Sequence, residues 1–349
     1  MGRLTPLLGQ LATKVGLDTT RQAAAVRSWL VEPASETVHR PALFDPEDLR
    51  KVTGVAPDST AKYQMDRLTR ARTRHPPVHL HALRDVTLAA GGLFRWNLVD
   101  LIGDGGAPRL ARADPPVIDH AVMASTFLGN RFFGHWLLDD MPLALLAAGH
   151  GERVGHVGRD NVPTSHQHDY LARFAEPVRH VREAFFRELL VFDYVTENVG
   201  KRSRYATMRT RLLPSSGVPA PTRGVMLLRG ASGQPRVLVN EAEVAARVAS
   251  RGFTVLDPVT ARVEDIVAAC HDAPVLLGTE GSHLAHGFLP MRPGGTVFVL
   301  QPPFKLDHFW RDRTNCTGGR YAFVVGDAVP GGFRVEPDAV EAMLDRIDA

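Results

Sequence analysis

The stretch Asn130-Arg131-Phe132-Phe133-Gly134-His135-Trp136-Leu137-Leu138-Asp139-Asp140-Met141-Pro142 holds an imidazole and a carboxylate four positions apart. If the stretch is helical, His135 and Asp139 lie one turn apart on one face, so the two groups can work together. A carboxylate beside a histidine suits a general base that takes the proton of an attacking hydroxyl. A core helix in which the two side chains only satisfy each other would carry the same pair.

A second constellation reads Gly278-Thr279-Glu280-Gly281-Ser282-His283-Leu284-Ala285-His286 and follows the strand-like Pro274-Val275-Leu276-Leu277. In an open parallel sheet, ligands sit beyond the carboxyl ends of the strands, and anions favour helix N-termini. Two glycines let the backbone approach a diphosphate, while Ser282 and His283 can donate to its oxygens. A plain structural turn capped by Ser282 is the competing reading. Arg229 ends the strand-like Val225-Met226-Leu227-Leu228, and Arg236 follows in a Gly-Gln-Pro loop. Both arginines are therefore expected at the sheet edge that bears the glycine loop, where guanidinium groups bind phosphate well. The loop is neither the G-x-G-x-x-G of dinucleotide sites nor a P-loop, which weakens dehydrogenase and NTPase readings.

The elements that must position these groups are clearest in the C-terminal half. Strand-like Val225–Leu228, Phe253–Leu256, Pro274–Leu277 and Thr296–Leu300 alternate with helices expected at Glu241–Arg251, Val263–His271 and from Ser282. This alternation predicts βαβ units and a parallel, Rossmann-like sheet. Asn240 with Glu243 predicts a capping box, and Gly252 the matching helix end. Upstream, a helical segment is expected from Asn130 to Gly149, preceded by a small sheet of short strands between Val78 and Leu101. The polar, proline-containing stretch 200–222 shifts composition and sets a domain limit near 215. Residues 1–75 read as helical and irregular. The opening Leu4, Leu7, Leu8, Leu11 and Val15 have helical spacing between Arg3 and Lys14. A helix packed on the protein's own core is expected there, with a membrane-surface helix as the alternative.

The chain has 349 residues, enough for two domains at roughly 100–200 residues each, and 44% of them are hydrophobic. Basic residues exceed acidic ones by only 41 to 38, and no basic block points to nucleic acid. Only Lys14, Lys51, Lys62, Lys201 and Lys305 are lysines, so arginine carries nearly all the positive charge. Cys270 and Cys316 are too few for a disulfide framework and lack metal-site spacing, which fits a cytoplasmic setting. No apolar run reaches the ~20 residues of a membrane span. The His166-Gln167-His168-Asp169 run looks superficially like a metal cluster but has no recognisable partner ligand. Trp136 and Trp310 are expected in the core.

The segment Asn130 to Pro142 resembles the N-x-x-H-W-L-L-[DE]-x-[LM]-P signature of glycosyltransferase family 61. Downstream, Leu228-Arg229-Gly230, Arg236-Val237-Leu238-Val239-Asn240-Glu241, Gly252-Phe253, the Gly278–His286 loop and Pro293-Gly294-Gly295-Thr296-Val297 are similar to that family's later pattern, in the same order. The resemblance covers about residues 78–326. One extra residue separates Asn130 from His135. Glu280, Ser282 and His286 stand where the family often has histidine, alanine and asparagine.

This resemblance implies an α/β, GT-B-like fold, two Rossmann-like domains facing a central cleft. Residues 1–77 would form an N-terminal helical elaboration, 78–215 the acceptor-side domain and 216–349 the nucleotide-sugar domain. It implies an inverting, metal-independent glycosyltransferase that moves a sugar from a UDP-type nucleotide donor to a glycan or related hydroxyl acceptor. The family's base falls on Asp139 with His135 beside it. Its donor side falls on Arg229, Arg236, Glu280, Gly281, Ser282 and His283. No metal, no cofactor beyond the donor substrate and no nucleic acid is implied. A non-catalytic nucleotide- or sugar-binding protein on the same scaffold is the alternative. A nicotinamide enzyme and a hydrolase both lack their motifs.

Overall fold

The computed structural model describes residues 4–348 apart from 58, 104–107, 109, 158–163, 175, 214–221 and 232. The chain forms two compact units, Met1–Ser35 with Pro76–Thr196, and Glu36–His75 with Glu197–Ala349. The proline- and serine-rich part of the composition shift, with the limit expected near 215, lies outside the described residues. The adjoining Gly200 to Arg204, grouped with that shift by composition, lies inside a helix, Val199–Leu212. The Asn198 side chain caps it by accepting from Lys201 N at 2.8 Å.

The first unit is built on one mixed sheet. Its strands are β1 (Arg27–Glu32), β2 (Val78–Ala89), β3 (Gly92–Arg95), β4 (Leu98–Leu101), β5 (Val117–Met123), β6 (Glu152–His156), β7 (Arg179–Val181) and β8 (Ala184–Phe192). Their order is β4-β3-β2-β8-β5-β6-β7, with β1 also on β2. The short strands expected between Val78 and Ala89 are one twelve-residue strand. Burial on both faces explains this: Leu83, Val86 and Leu88 enter one apolar cluster, and Val78, Leu80 and Ala82 another. Ala90 and Gly91, with φ of 47° and 76°, then turn the chain within two residues. A turn that tight can only return an antiparallel neighbour. The Rossmann-like expectation therefore holds for part of this sheet, where β8, β5, β6 and β7 are parallel. Strands β1 to β4 are antiparallel.

The opening helix Thr5–Lys14 packs on this unit, but through its small residues. Thr5, Pro6, Gly9 and Ala12 are buried, whereas Leu4, Leu8, Leu11 and Val15 are 48–74% exposed. The backbone at Gly9 lies so close to the Arg95 and Leu98 carbonyls that a Cβ would stand 2.7 Å from each. The helix thus packs on the protein as expected, but of the stripe Leu4, Leu7, Leu8, Leu11 and Val15 only Leu7 is partly buried, because this approach puts the small residues inward.

The second unit contains the expected parallel sheet, with β9 (Gly224–Leu227), β10 (Phe253–Leu256), β11 (Val275–Thr279), β12 (Thr296–Gln301) and β13 (Arg320–Val325) in the order β10-β9-β11-β12-β13. All neighbouring pairs are parallel. The order reverses between β9 and β11, so this edge is the topological switch point where such sheets bind ligands. Helices Glu241–Ser250 and Val263–Cys270 connect the strands as expected, and Gly252 leaves its helix at φ 86°. The capping box differs: Asn240 makes no backbone cap, and its amide donates to Glu243 and to the Val335 carbonyl. The last helix, Pro337–Asp348, stays on this unit, with Val340, Met343 and Leu344 in its core. Cys270 and Cys316 are free and buried. Among the described residues no helix is long and apolar enough to cross a membrane.

Candidate active site

The helix expected from Asn130 begins at Phe133 and changes character partway. Phe133–His135 is α-helical, Trp136–Asp140 is a π-helical turn, and Met141–Leu146 is α-helical again. Such a widened turn inside a helix is a frequent mark of functional sites. Trp136, Leu137, Leu138, Asp139 and Asp140 are all buried, and Trp136 stacks against Phe133, so the turn is held from every side. His135 Nδ1 donates to Asp139 Oδ2 at 2.6 Å. The pair read from spacing is thus a formed hydrogen bond.

Asp139 lines a cavity of about 230 Å³ in the first unit. Its other walls are the Ser125–Leu128 loop, Arg21, Leu101 and the Val191–Val195 segment that leaves β8. Arg21 donates through Nε to Asp100 Oδ2 at 2.6 Å, which fixes it at the rim. Asp193 accepts from His79 Nδ1 at 3.0 Å and from His81 Nε2 at 2.8 Å. These bonds hold the Asp193 carboxylate below its usual range, although partial burial opposes them. Asp140 faces away: Thr126 N and Oγ1 donate to its Oδ1 at 2.9 and 2.8 Å. Its neighbour Gly129 leaves no room for a Cβ, which would stand 2.2 Å from that carboxylate. Asp140 therefore builds the Ser125–Leu128 wall, and Asp139 is the carboxylate that lines the cavity.

The second constellation gathers at the switch point. Glu241, first residue of its helix, accepts from Arg229 N at 2.9 Å and from Gly230 N at 2.8 Å. The Arg229 guanidinium, 6% exposed, donates to the Gln234 carbonyl at 2.8 Å. It lies against Gly281, where a Cβ would stand 2.3 Å from Nη1. Only glycine permits this approach. Arg236 forms a buried ion pair with Glu280, so the Glu280 carboxylate engages a guanidinium. Arg236 Nε and Thr279 Oγ1, both buried, have no hydrogen-bond partner among the described residues. Burial, and then Arg229, pull the Arg236 guanidinium down to about 10, which leaves it charged at neutral pH.

His283 is buried beside them. Burial first, then Arg229 and Arg236, push it down to about 3, so the ring is neutral. Neither ring nitrogen makes a well-formed hydrogen bond, although the Leu227 carbonyl lies close enough to oppose the shift. Ser282 begins a three-residue 3₁₀ turn that passes into Ala285–Phe288. The ordered features of this edge are two buried guanidinium groups, the carboxylates of Glu280 and Glu241, and a neutral imidazole. Guanidinium groups so placed can bind an anion.

Residues 133–299 match the family model for glycosyltransferase 61. This match supports membership of glycosyltransferase family 61. No curated protein sequence matches the chain closely enough to be counted. Membership supports glycosyltransferase activity, and the family 61 segment spans both constellations, from His135 and Asp139 through Arg229 and Arg236 to His283.

Several residues around the family 61 constellations escaped the sequence reading. Lys305 Nζ donates to Gln234 Oε1 at 2.5 Å. Burial, Arg236 and Arg229 together lower it to about 8 against the opposing pull of Asp307. As one of only five lysines in an arginine-rich chain it was a legible signal. Asp193 directly follows the end of β8, so the strand-end rule applied in the C-terminal half would have found it. Arg21 and Thr126 had no such signal, because their place in the wall of the Asp139 cavity is tertiary. The His166–Asp169 run lies on the helix Ser165–Phe174. Among the described residues no group of three or more His, Cys, Asp or Glu could hold a metal ion. Trp136 and Trp310 are both buried core residues.

Proposed function

We propose that this glycosyltransferase is inverting and metal-independent and transfers a sugar from a nucleotide-diphosphate donor, UDP-linked, to a hydroxyl of a glycan or glycan-like acceptor in polysaccharide biosynthesis. The observation that carries the reading is Asp139, hydrogen-bonded to His135 and lining a mainly apolar cavity that also bears Arg21, Asp193 and Tyr194. In the proposed reaction the acceptor hydroxyl gives its proton to Asp139 as its oxygen attacks the anomeric carbon. The bond from that carbon to the donor phosphate breaks, and the nucleoside diphosphate leaves with the electron pair. His135 orients the carboxylate and stabilises its charge before proton transfer.

The leaving diphosphate needs positive charge, and Arg229, Arg236 and Lys305 supply it without a metal. Gly281 lets Arg229 approach the loop, and Ser282, neutral His283 and Thr279 offer hydrogen bonds to the donor. Glu280 keeps Arg236 in place. In this reading each unit contributes one side of a GT-B enzyme, the first the acceptor and base, the second the donor, in a cytoplasmic setting.

The test is a thermal-shift series with UDP, GDP, CDP and their sugar conjugates, followed by transfer assays of wild type and Asp139→Asn. A ligand that binds the native state raises the melting point. A shift with one nucleotide series, retained in Asp139→Asn while transfer is lost, supports the reading. Full transfer by Asp139→Asn overturns the base assignment, and nucleotide binding without turnover moves the chain to a binding protein.

A further inference from the structure

The helix Thr5–Lys14 reverses the usual arrangement of an amphipathic helix. Its small residues Thr5, Gly9 and Ala12 face the protein, and the stripe Leu4, Leu8, Leu11 and Val15, spaced by four, three and four, faces outward. Burying a leucine is worth about 1.5–3 kcal/mol, so packing on the protein alone would favour the opposite rotation. Gly9 prevents it. The backbone sits on the Arg95 and Leu98 carbonyls at a distance that no larger residue permits.

The surroundings match the outward face. Trp96, in the β3–β4 turn between those two carbonyls, is 56% exposed, and Leu17 just past the helix is 52% exposed. Residues 1–17 contain Arg3 and Lys14 and no carboxylate. An exposed leucine stripe with basic flanks, on a helix packed over a turn that bears an exposed tryptophan, matches the composition of helices that lie in the membrane interface.

We infer that this face docks on an anionic lipid surface, with Leu4, Leu8, Leu11 and Val15 inserted among the acyl chains and Lys14 against the headgroups. Area favours lipid over a second copy of the chain. A helix of ten residues is about 15 Å long and roughly 10 Å across, on the order of 150 Å² of face. A stable protein interface buries about 800 Å² per partner. A bilayer needs only the stripe, and positive flanks bring it to acidic headgroups.

The test is co-sedimentation of the full chain with phosphatidylcholine vesicles and with mixed phosphatidylcholine–phosphatidylglycerol vesicles. Wild type is expected in the pellet with the mixed vesicles, less so at high salt, with a blue shift of tryptophan emission that Trp96→Phe removes. The double substitution Leu8→Ser with Leu11→Ser should weaken sedimentation about tenfold or more. Its melting point should be kept, because both side chains are exposed. Lys14→Glu should weaken binding to the mixed vesicles alone. Three results overturn the inference: no wild-type binding to anionic vesicles, equal binding by the double variant, or a wild-type dimer that the double variant converts to monomer.

Discussion

Asp139 and Asp140 are adjacent in sequence on one π-helical turn and engage different partners. Asp139 accepts from His135 and lines the cavity of the first unit, whereas Asp140 accepts twice from Thr126 and holds the cavity wall. Replacing each by asparagine should therefore have different consequences. Asp139→Asn is expected to lose transfer by about 10²–10⁴-fold with little change in melting point. Asp140→Asn is expected to cost about 1–3 kcal/mol of stability, because an amide group would face the two Thr126 donors. Urea midpoints and transfer rates of the two variants separate the roles. Equal stability losses would remove the distinction.

Gly281→Ala places a methyl group against the Arg229 guanidinium. The obstructing atoms belong to the end of a flexible side chain, so Arg229 can swing aside, while the φ of 156° at position 281 strains an alanine and lowers the melting point as well. Loss of one charge-assisted contact predicts donor binding weaker by about tenfold or more. Titration calorimetry with UDP measures it, and an unchanged dissociation constant would exclude Arg229 from the donor site.

Lys305, lowered to about 8, should make donor binding depend on pH. Below that value the ammonium group is charged and attracts the diphosphate; as pH rises through about 8 the charge and its contribution are lost. Arg236, lowered only to about 10, stays charged through most of this range. UDP affinity should fall between pH 7 and 9 in wild type and stay flatter in Lys305→Gln. A Lys305→Gln profile that falls as steeply as wild type would place the titration elsewhere.

Three buried histidines should make the protein acid-sensitive. Burial is the first cause in each case, lowering His39 to about 4 and both His283 and His308 to about 3. Their ordinary value is 6.5, so below it the unfolded chain takes up protons that the folded chain refuses. This stability is complete above about pH 6.5 and declines towards pH 4 and 3. Each group contributes up to about 1.4 kcal/mol per pH unit in that window. Carboxylates titrate mainly below it, so urea midpoints at pH 7 and pH 5 isolate the histidines. Equal midpoints would contradict the burial of these rings in the neutral state.

The second unit was legible because each βαβ element declares itself locally. Apolar runs of four or five residues, helical periods and punctuating glycines placed β9 to β12 and their helices to within a residue or two, and the strand-end rule led to Arg229 and Gly281. Spacing alone also placed His135 and Asp139 on one face, since one turn of any helix brings residues four apart together.

What tertiary structure decided is where alternatives of equal local merit had to be chosen. Nothing local in Val78 to Ala89 says that both faces of the strand are covered, so it read as fragments. The widening at Trp136–Asp140 depends on how the surrounding side chains pack, and with it the division of labour between Asp139 and Asp140. Glu280 could have met backbone or ligand, but Arg236 arrives from a loop forty-four positions away. Leu4, Leu8 and Leu11 at the first helix carry every mark of core residues. Close approach of Gly9 to two carbonyls from another part of the chain turns them outward, a steric fact that periodicity cannot contain.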